Sequence, residues 1–166
     1  MKIQWHRVIA VWEIAGGAIG FYVTLPLLFQ YLRSDGYYAP VVAIVFLVIY
    51  AMLFVGGLLL WNGKPLGENL SLIVQALQIP RITTEIYIYQ LLVIFSLQIG
   101  VRDGSGNINY AWGNIWRFGK LYSEEPTRFL LNILAILSVA YLIYNKGTLE
   151  DRPEEIERKN KRRKNS

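Results

Sequence analysis

Hydrophobic positions in this chain are gathered into long blocks. Four blocks carry no basic residue and at most one carboxylate each: residues 8–32, 40–61, 82–101 and 129–144. At about 1.5 Å of rise per residue, roughly 20 helical residues cross a hydrocarbon core of about 30 Å. The first three blocks meet that length. The fourth meets it once Arg128 and Lys146 extend to the headgroups and Pro126 opens the helix, giving a span over 127–145. The pattern predicts an all-α integral membrane protein, a bundle of four transmembrane helices. The first block is too long for the apolar part of a signal peptide and no small-residue cleavage site follows it, so it is read as a span.

A fifth pattern, residues 66–79, is interrupted by Glu68, Asn69, Gln75 and Gln78. Leu66, Leu70, Ile73, Val74 and Leu77 fall on one helical face between Pro65 and Pro80. This predicts an amphipathic helix lying in the membrane interface between the second and third spans. The short turn around Asp35-Gly36 makes the first two helices antiparallel neighbours. Residues 102–126 form an outer loop that opens on Asp103-Gly104-Ser105-Gly106-Asn107 and alternates through Ile108, Tyr110 and Trp112. A turn or hairpin is expected there, followed by an aromatic segment on the outer membrane surface.

Charge sets the orientation. Of the 17 Lys and Arg residues, twelve fall on the side of the four-span model that holds both termini and five on the other. The positive-inside rule then places the N-terminus and C-terminus in the cytoplasm, in a plasma or bacterial inner membrane. Most of the bias comes from the tail, residues 147–166, where Arg158, Lys159, Lys161, Arg162, Arg163 and Lys164 follow an acidic stretch. Such a cluster attracts anionic lipid. Nucleic acid is not the expected partner, because no aromatic residue is interleaved for stacking.

Composition narrows the chemistry. With 166 residues, 54% of them hydrophobic, and a mean hydropathy of +0.31, the chain is not a disordered one. The absence of cysteine and the presence of one histidine exclude a disulfide framework, a thiolate nucleophile, a zinc site built on cysteine and a His-rich metal cage. Neither G-x-S-x-G nor H-E-x-x-H occurs, so the parts of the common hydrolases are missing. No cofactor and no metal are expected.

Glu13 and Glu85 lie inside the first and third blocks at similar depth. With Arg81 one turn before Glu85, they form a candidate intramembrane charge site: a proton-binding or ion-binding pair, or local ion pairing that makes insertion tolerable. Gly16, Gly17 and Gly20 share the face of Glu13 and offer a close-packing surface. Gln30, Gln98 and Asn132 form a candidate outer-leaflet polar cluster, and Trp112 and Trp116 candidate lipid or partner contacts. The expected function is a non-catalytic assembly, scaffold or accessory subunit that packs with a second copy or another membrane protein. The alternative is a small oligomeric channel or proton-coupled transporter using Glu13 and Glu85.

Overall fold

The computed structural model of the chain describes residues 5–33, 38–113, 115–120 and 127–146. Three helices come first: α1 (Trp5–Leu32), α2 (Tyr38–Trp61) and α3 (Pro65–Leu77). Six strands follow: β1 (Pro80–Thr83), β2 (Tyr87–Leu92), β3 (Phe95–Arg102), β4 (Ser105–Trp112), β5 (Ile115–Lys120) and β6 (Arg128–Asn132). The last described element is α4 (Ile133–Tyr144).

Among the described residues, α1 and α2, of 28 and 24 residues, are the two helices long and apolar enough to cross a membrane by length and composition. They pack antiparallel at glycines. A methyl group added at Gly17 would fall 2.6 Å from the Phe54 backbone nitrogen, and one at Gly57 would fall 2.8 Å from the Ala10 carbonyl oxygen. No side chain fits there, so the two backbones approach closely.

The chain then reverses in three residues. Gly63 takes a positive φ of 66°, the Lys64 amide donates to the Leu59 carbonyl at 2.9 Å, and the Gly63 amide donates to the Leu60 carbonyl at 3.0 Å. This is a Schellman ending, and Pro65 follows with its φ already helical. The helix that starts there, α3, runs back along α2: Gly67 meets Leu60, Gly56 meets Leu70 and Ser71, and Val74 joins Tyr50 and Leu53 in the core. The helix expected over 66–79 thus forms as α3, packed along α2. Its buried face is Gly67, Glu68, Ser71, Val74 and Gln75, while Leu66, Ile73 and Leu77 point outward.

The largest correction concerns the third and fourth spans. Residues 82–101 do not form a helix but most of three strands, and the block at 129–144 divides between β6 and the 12-residue α4. At the division, Asn132 caps α4 by accepting a hydrogen bond from the Leu134 amide at 3.2 Å. Among the described residues the fold is four helices plus a six-stranded antiparallel sheet, not an all-α bundle of four spans. The reason is in the residue types: Ile, Val, Thr, Tyr and Phe dominate 82–101, and these fit a pleated surface better than a helix.

Residues 87–113 and 115–120 form one long hairpin. Its register is unchanged from Tyr87↔Lys120 to Arg102↔Ser105, and the Asp103-Gly104 tip has positive φ at both residues, as a two-residue type I′ turn requires. The ribbon doubles back at 93–94 and 113, where Ile94 takes a φ of 60° and the Gly113 amide donates to the Ile94 carbonyl at 2.6 Å. The strands β1 and β6 fit between the two arms, giving the order β4-β3-β6-β1-β2-β5. In a flat sheet β2 and β3 would be about 14 Å apart, at about 4.8 Å per strand. Three Cα steps cover about 11 Å at most. The sheet is therefore bent round into a trough.

The trough is joined to the helices along their upper halves. Leu91 and Val93 lie in one hydrophobic cluster with Val42, Phe46 and Tyr50, and Trp116 of β5 stacks on Phe46 at 4.6 Å. Tyr38, at the start of α2, meets Gly119. At the opposite end, α4 seats Leu142 against Ile9, Ala10 and Leu60.

Candidate functional site

Polar side chains converge at the junction of α1, α3, α4 and the sheet. Glu13 lies on the buried stripe of α1 and is 0% exposed. Its carboxylate accepts hydrogen bonds from Ser71 Oγ at 2.5 Å and from Gln75 Nε2 at 3.0 Å. Ser71 and Gln75 are four residues apart on α3 and so share one face. This explains why α3 turns its polar side inward: a buried carboxylate without donors is costly, and α3 brings two. Gly57 of α2 makes the room, since a methyl group there would lie 3.0 Å from Glu13 Cβ.

Beside this cluster lies a cavity of about 490 Å³. Its apolar walls come from Trp5, Val8 and Trp12 of α1, Phe95 of β3, and Leu134 and Tyr141 of α4. Three nearly buried amides, Gln75, Gln78 and Asn132, also line it. The cavity is of ligand size, and the amides offer both donors and acceptors without a formal charge. It can hold a neutral amphiphile; no nucleophile and base are paired along its lining.

The sheet has two unlike faces. Thr83, Gln90, Ser96, Gln98 and Asn132 lie on one, all buried, together with Ile88, Leu92 and Leu130. Arg81 and Gln98 meet on this face, the guanidinium Nη1 donating to Gln98 Oε1 at 2.9 Å across β6. The opposite face carries Leu91 and Trp116, packed against α2, and Ile99, Val101, Ile108, Tyr110, Trp112, Phe118 and Phe129, which are exposed.

The sequence-derived candidates are therefore redistributed. Glu13, Arg81 and Glu85 do not come together: Glu13 takes its partners from α3, Arg81 reaches Gln98, and Glu85 is exposed in the turn between β1 and β2. The one-turn spacing of Arg81 and Glu85 has no meaning once the backbone there is extended and turning. Gln98 and Asn132 sit opposite each other in the β3–β6 ladder, whereas Gln30 is exposed on α1. Gly16 faces Val93, Gly17 the α2 backbone and Gly20 the Tyr50 ring, all contacts within this chain. Trp112 is exposed on β4, and Trp116 of β5 is half-buried against Phe46 of α2. The tail cations Arg158, Lys159, Lys161, Arg162, Arg163 and Lys164 lie outside the described residues.

Ser71 and Gln75 are the site residues that hydropathy did not single out. Their signal was present as polar residues four apart in an otherwise apolar segment, on the side opposite Ile73. Comparison of the chain with protein-family models, with curated proteins and with solved structures finds no match.

Proposed function

We propose that this chain is a membrane-embedded, non-catalytic assembly or accessory subunit. The observation that carries the reading is its inverted polarity. Glu13, Ser71 and Gln75 are buried at the centre of the helices, while Tyr22, Phe29, Val41, Val48, Ile73 and Ile108 face outward. Only about a third of α1 and two-fifths of α2 in their most apolar windows are buried, unlike the core helix of a water-soluble domain. An apolar exterior of this extent needs lipid or another protein against it.

In this reading α1 and α2 cross the bilayer, and α3 enters it from the same side as the N-terminus and stops part-way. The trough lies beside the outer halves of α1 and α2. Arg7 over the Trp61 ring at 5.3 Å, Lys64, and Lys146 after α4 share the end from which the basic tail leaves. Positive charge makes that end cytoplasmic, in a plasma or bacterial inner membrane. The tips at Glu85 and Asp103 then face the other side. A transporter built on Glu13 and Glu85 has less support, because one of the two is sealed between helices and the other exposed at a turn.

Alkaline carbonate treatment of membranes, combined with labelling of single cysteines by an impermeant maleimide, tests the arrangement. The protein should stay in the pellet, a cysteine at Ser105 should be labelled from outside, and one at Tyr22 should not. Release into the supernatant would end the membrane reading. Quantitative cross-linking in native membranes tests the assembly role, which requires a stoichiometric complex; a chain that stays monomeric would contradict it.

The amide-lined cavity favours a second reading, the binding of a neutral amphiphile whose polar end meets Gln75, Gln78 and Asn132. Native mass spectrometry should then detect a neutral lipid that Ala135→Trp, filling the cavity wall, displaces.

A further inference from the structure

The three amides that line the cavity are each half committed. Gln75 Nε2 donates to the Glu13 carboxylate at 3.0 Å, Gln78 Nε2 donates to the Val74 carbonyl at 3.4 Å, and Asn132 Oδ1 accepts from the Leu134 amide at 3.2 Å. These partners fix which end of each amide is which, because a carboxylate or carbonyl only accepts and a backbone N–H only donates. The free ends are two acceptors, Gln75 Oε1 and Gln78 Oε1, and one donor, Asn132 Nδ2. None of the three is among the described side-chain atoms sealed off without a partner, although their residues are nearly buried. The space they reach is the cavity they line. Gln75 and Gln78 are three residues apart on α3, so their oxygens are neighbours on one face. The rest of the lining is apolar or aromatic except for Ser138, and no charged residue belongs to it.

Depth narrows the ligand further. Gln75 comes ten residues after Pro65, the start of α3, and Asn132 comes twelve before Tyr144, the end of α4. At about 1.5 Å per residue the amides stand roughly 15 to 18 Å from those helix ends, near the middle of a hydrocarbon core of about 30 Å. A phosphate or ammonium head does not settle there without a counter-charge, and the lining has none. An ionised fatty acid would set its oxygens against two further acceptors. A hydroxyl both donates and accepts, and it reaches this depth at far lower cost than a charge. Val8 of α1 and Leu137 of α4, both in the lining, are exposed, so the cavity opens to the surroundings between these helices and an acyl chain can leave there.

We propose that the cavity holds the head of an uncharged membrane lipid with two neighbouring hydroxyls, as in a monoacylglycerol. One hydroxyl donates to Gln75 Oε1 and the other to Gln78 Oε1, while one of them accepts from Asn132 Nδ2. This rests on the membrane placement and on the reading of the cavity as an amphiphile site, and adds the chemistry of the head. An ester without a hydroxyl offers no donor, and a diacylglycerol offers one.

Native mass spectrometry of the full-length protein in detergent, titrated with monooleoylglycerol, methyl oleate and oleate in turn, tests the assignment. Monooleoylglycerol should bind as a single copy. Methyl oleate, with the same chain and no donor, should bind about tenfold or more weakly, the loss expected for two unmade hydrogen bonds, and oleate should bind no better. Gln78→Leu, which gives up an amide bonded only within its own helix, should weaken monooleoylglycerol about fivefold and leave methyl oleate unchanged. The wild-type series keeps the test open if this variant fails to fold. Methyl oleate or oleate binding as tightly as monooleoylglycerol, or an unchanged affinity in folded Gln78→Leu, would overturn the hydroxyl assignment and leave an amphiphile site in place. Displacement of monooleoylglycerol by excess glycerol would also overturn it, by moving the site to a free polyol. Binding of none of the three, or equal binding of all three by Ala135→Trp, would remove the amphiphile reading together with the proposal.

Discussion

The helical and stranded parts of this protein both turn polar groups inward and apolar groups outward, but they do it with different periods and are left with different needs. In α1 and α3 the inward stripe recurs about every 3.6 residues, bringing Glu13 to Ser71 and Gln75. In the trough the inward side is every second residue, bringing Gln98 beside Asn132. A helix satisfies its own backbone, so its outer surface can be wholly apolar and complete. A sheet satisfies its backbone through neighbours, and among the described strands β4 has one, β3. A helix pair can thus satisfy its backbone within itself, whereas a sheet does so only through its neighbouring strands.

Substitutions at the seams of the two parts separate them, the largest effect first. Gly17→Leu places a side chain where the Phe54 and Tyr50 backbones of α2 already stand. It should cost about 3 kcal/mol or more, near the upper end of overpacking effects. The check is loss of folded protein in detergent by thermal unfolding. Survival with an unchanged Tm would mean that the helices can separate without harm.

Glu13→Ala removes the acceptor from Ser71 and Gln75 and should cost about 1 to 3 kcal/mol, the range for leaving buried partners unmade. Combined with Ser71→Ala, the two losses should be less than additive, because they share one bond. Strict additivity in a double-mutant cycle would show that α3 is not held by this carboxylate.

Trp116→Leu keeps an apolar contact on Phe46 but removes the stacking that fastens the sheet to α2. The expected loss is about 0.5 to 1.5 kcal/mol. It should appear as faster amide exchange in β5 and β2 with α1 unchanged. Smallest of all, Trp112→Ala should leave the stability of one chain within about 0.5 kcal/mol, as for other exposed positions. A large destabilisation of the monomer would mean that β4 is covered by a segment of its own chain.

The sequence made the helices legible and the sheet less so. Length and hydropathy were sufficient for α1 and α2, and the helix drawn on residues 66–79 forms as α3, with its polar side turned to the buried Glu13. The sheet was hidden by averaging. Residues 82–101 have the apolar content of a span, yet Phe95-Ser96-Leu97-Gln98-Ile99-Gly100-Val101-Arg102 alternates strictly, and Asn107-Ile108-Asn109-Tyr110 does so again across the Asp103-Gly104 turn. Period two over eight residues, next to a type I′ turn pair, is a hairpin signal that a 20-residue window removes. What no local pattern gives is the doubling back at Ile94 and Gly113, since it depends on β1 and β6 filling the space between the arms. The pairing of Glu13 with Ser71 and Gln75 was equally out of reach, because it joins residues 58 and 62 positions apart.

The central claim is that the apolar outer faces of both parts lie in lipid. Spin labels on single cysteines at Tyr22 on α1, Ile99 on β3 and Ser105 at the hairpin tip test it most directly, through collision with oxygen, which concentrates in the bilayer, and with a nickel chelate, which stays in water. The account predicts high oxygen and low nickel access at both Tyr22 and Ile99, and the reverse at Ser105. Nickel access at Ile99 as high as at Ser105 would place the sheet in water and contradict it.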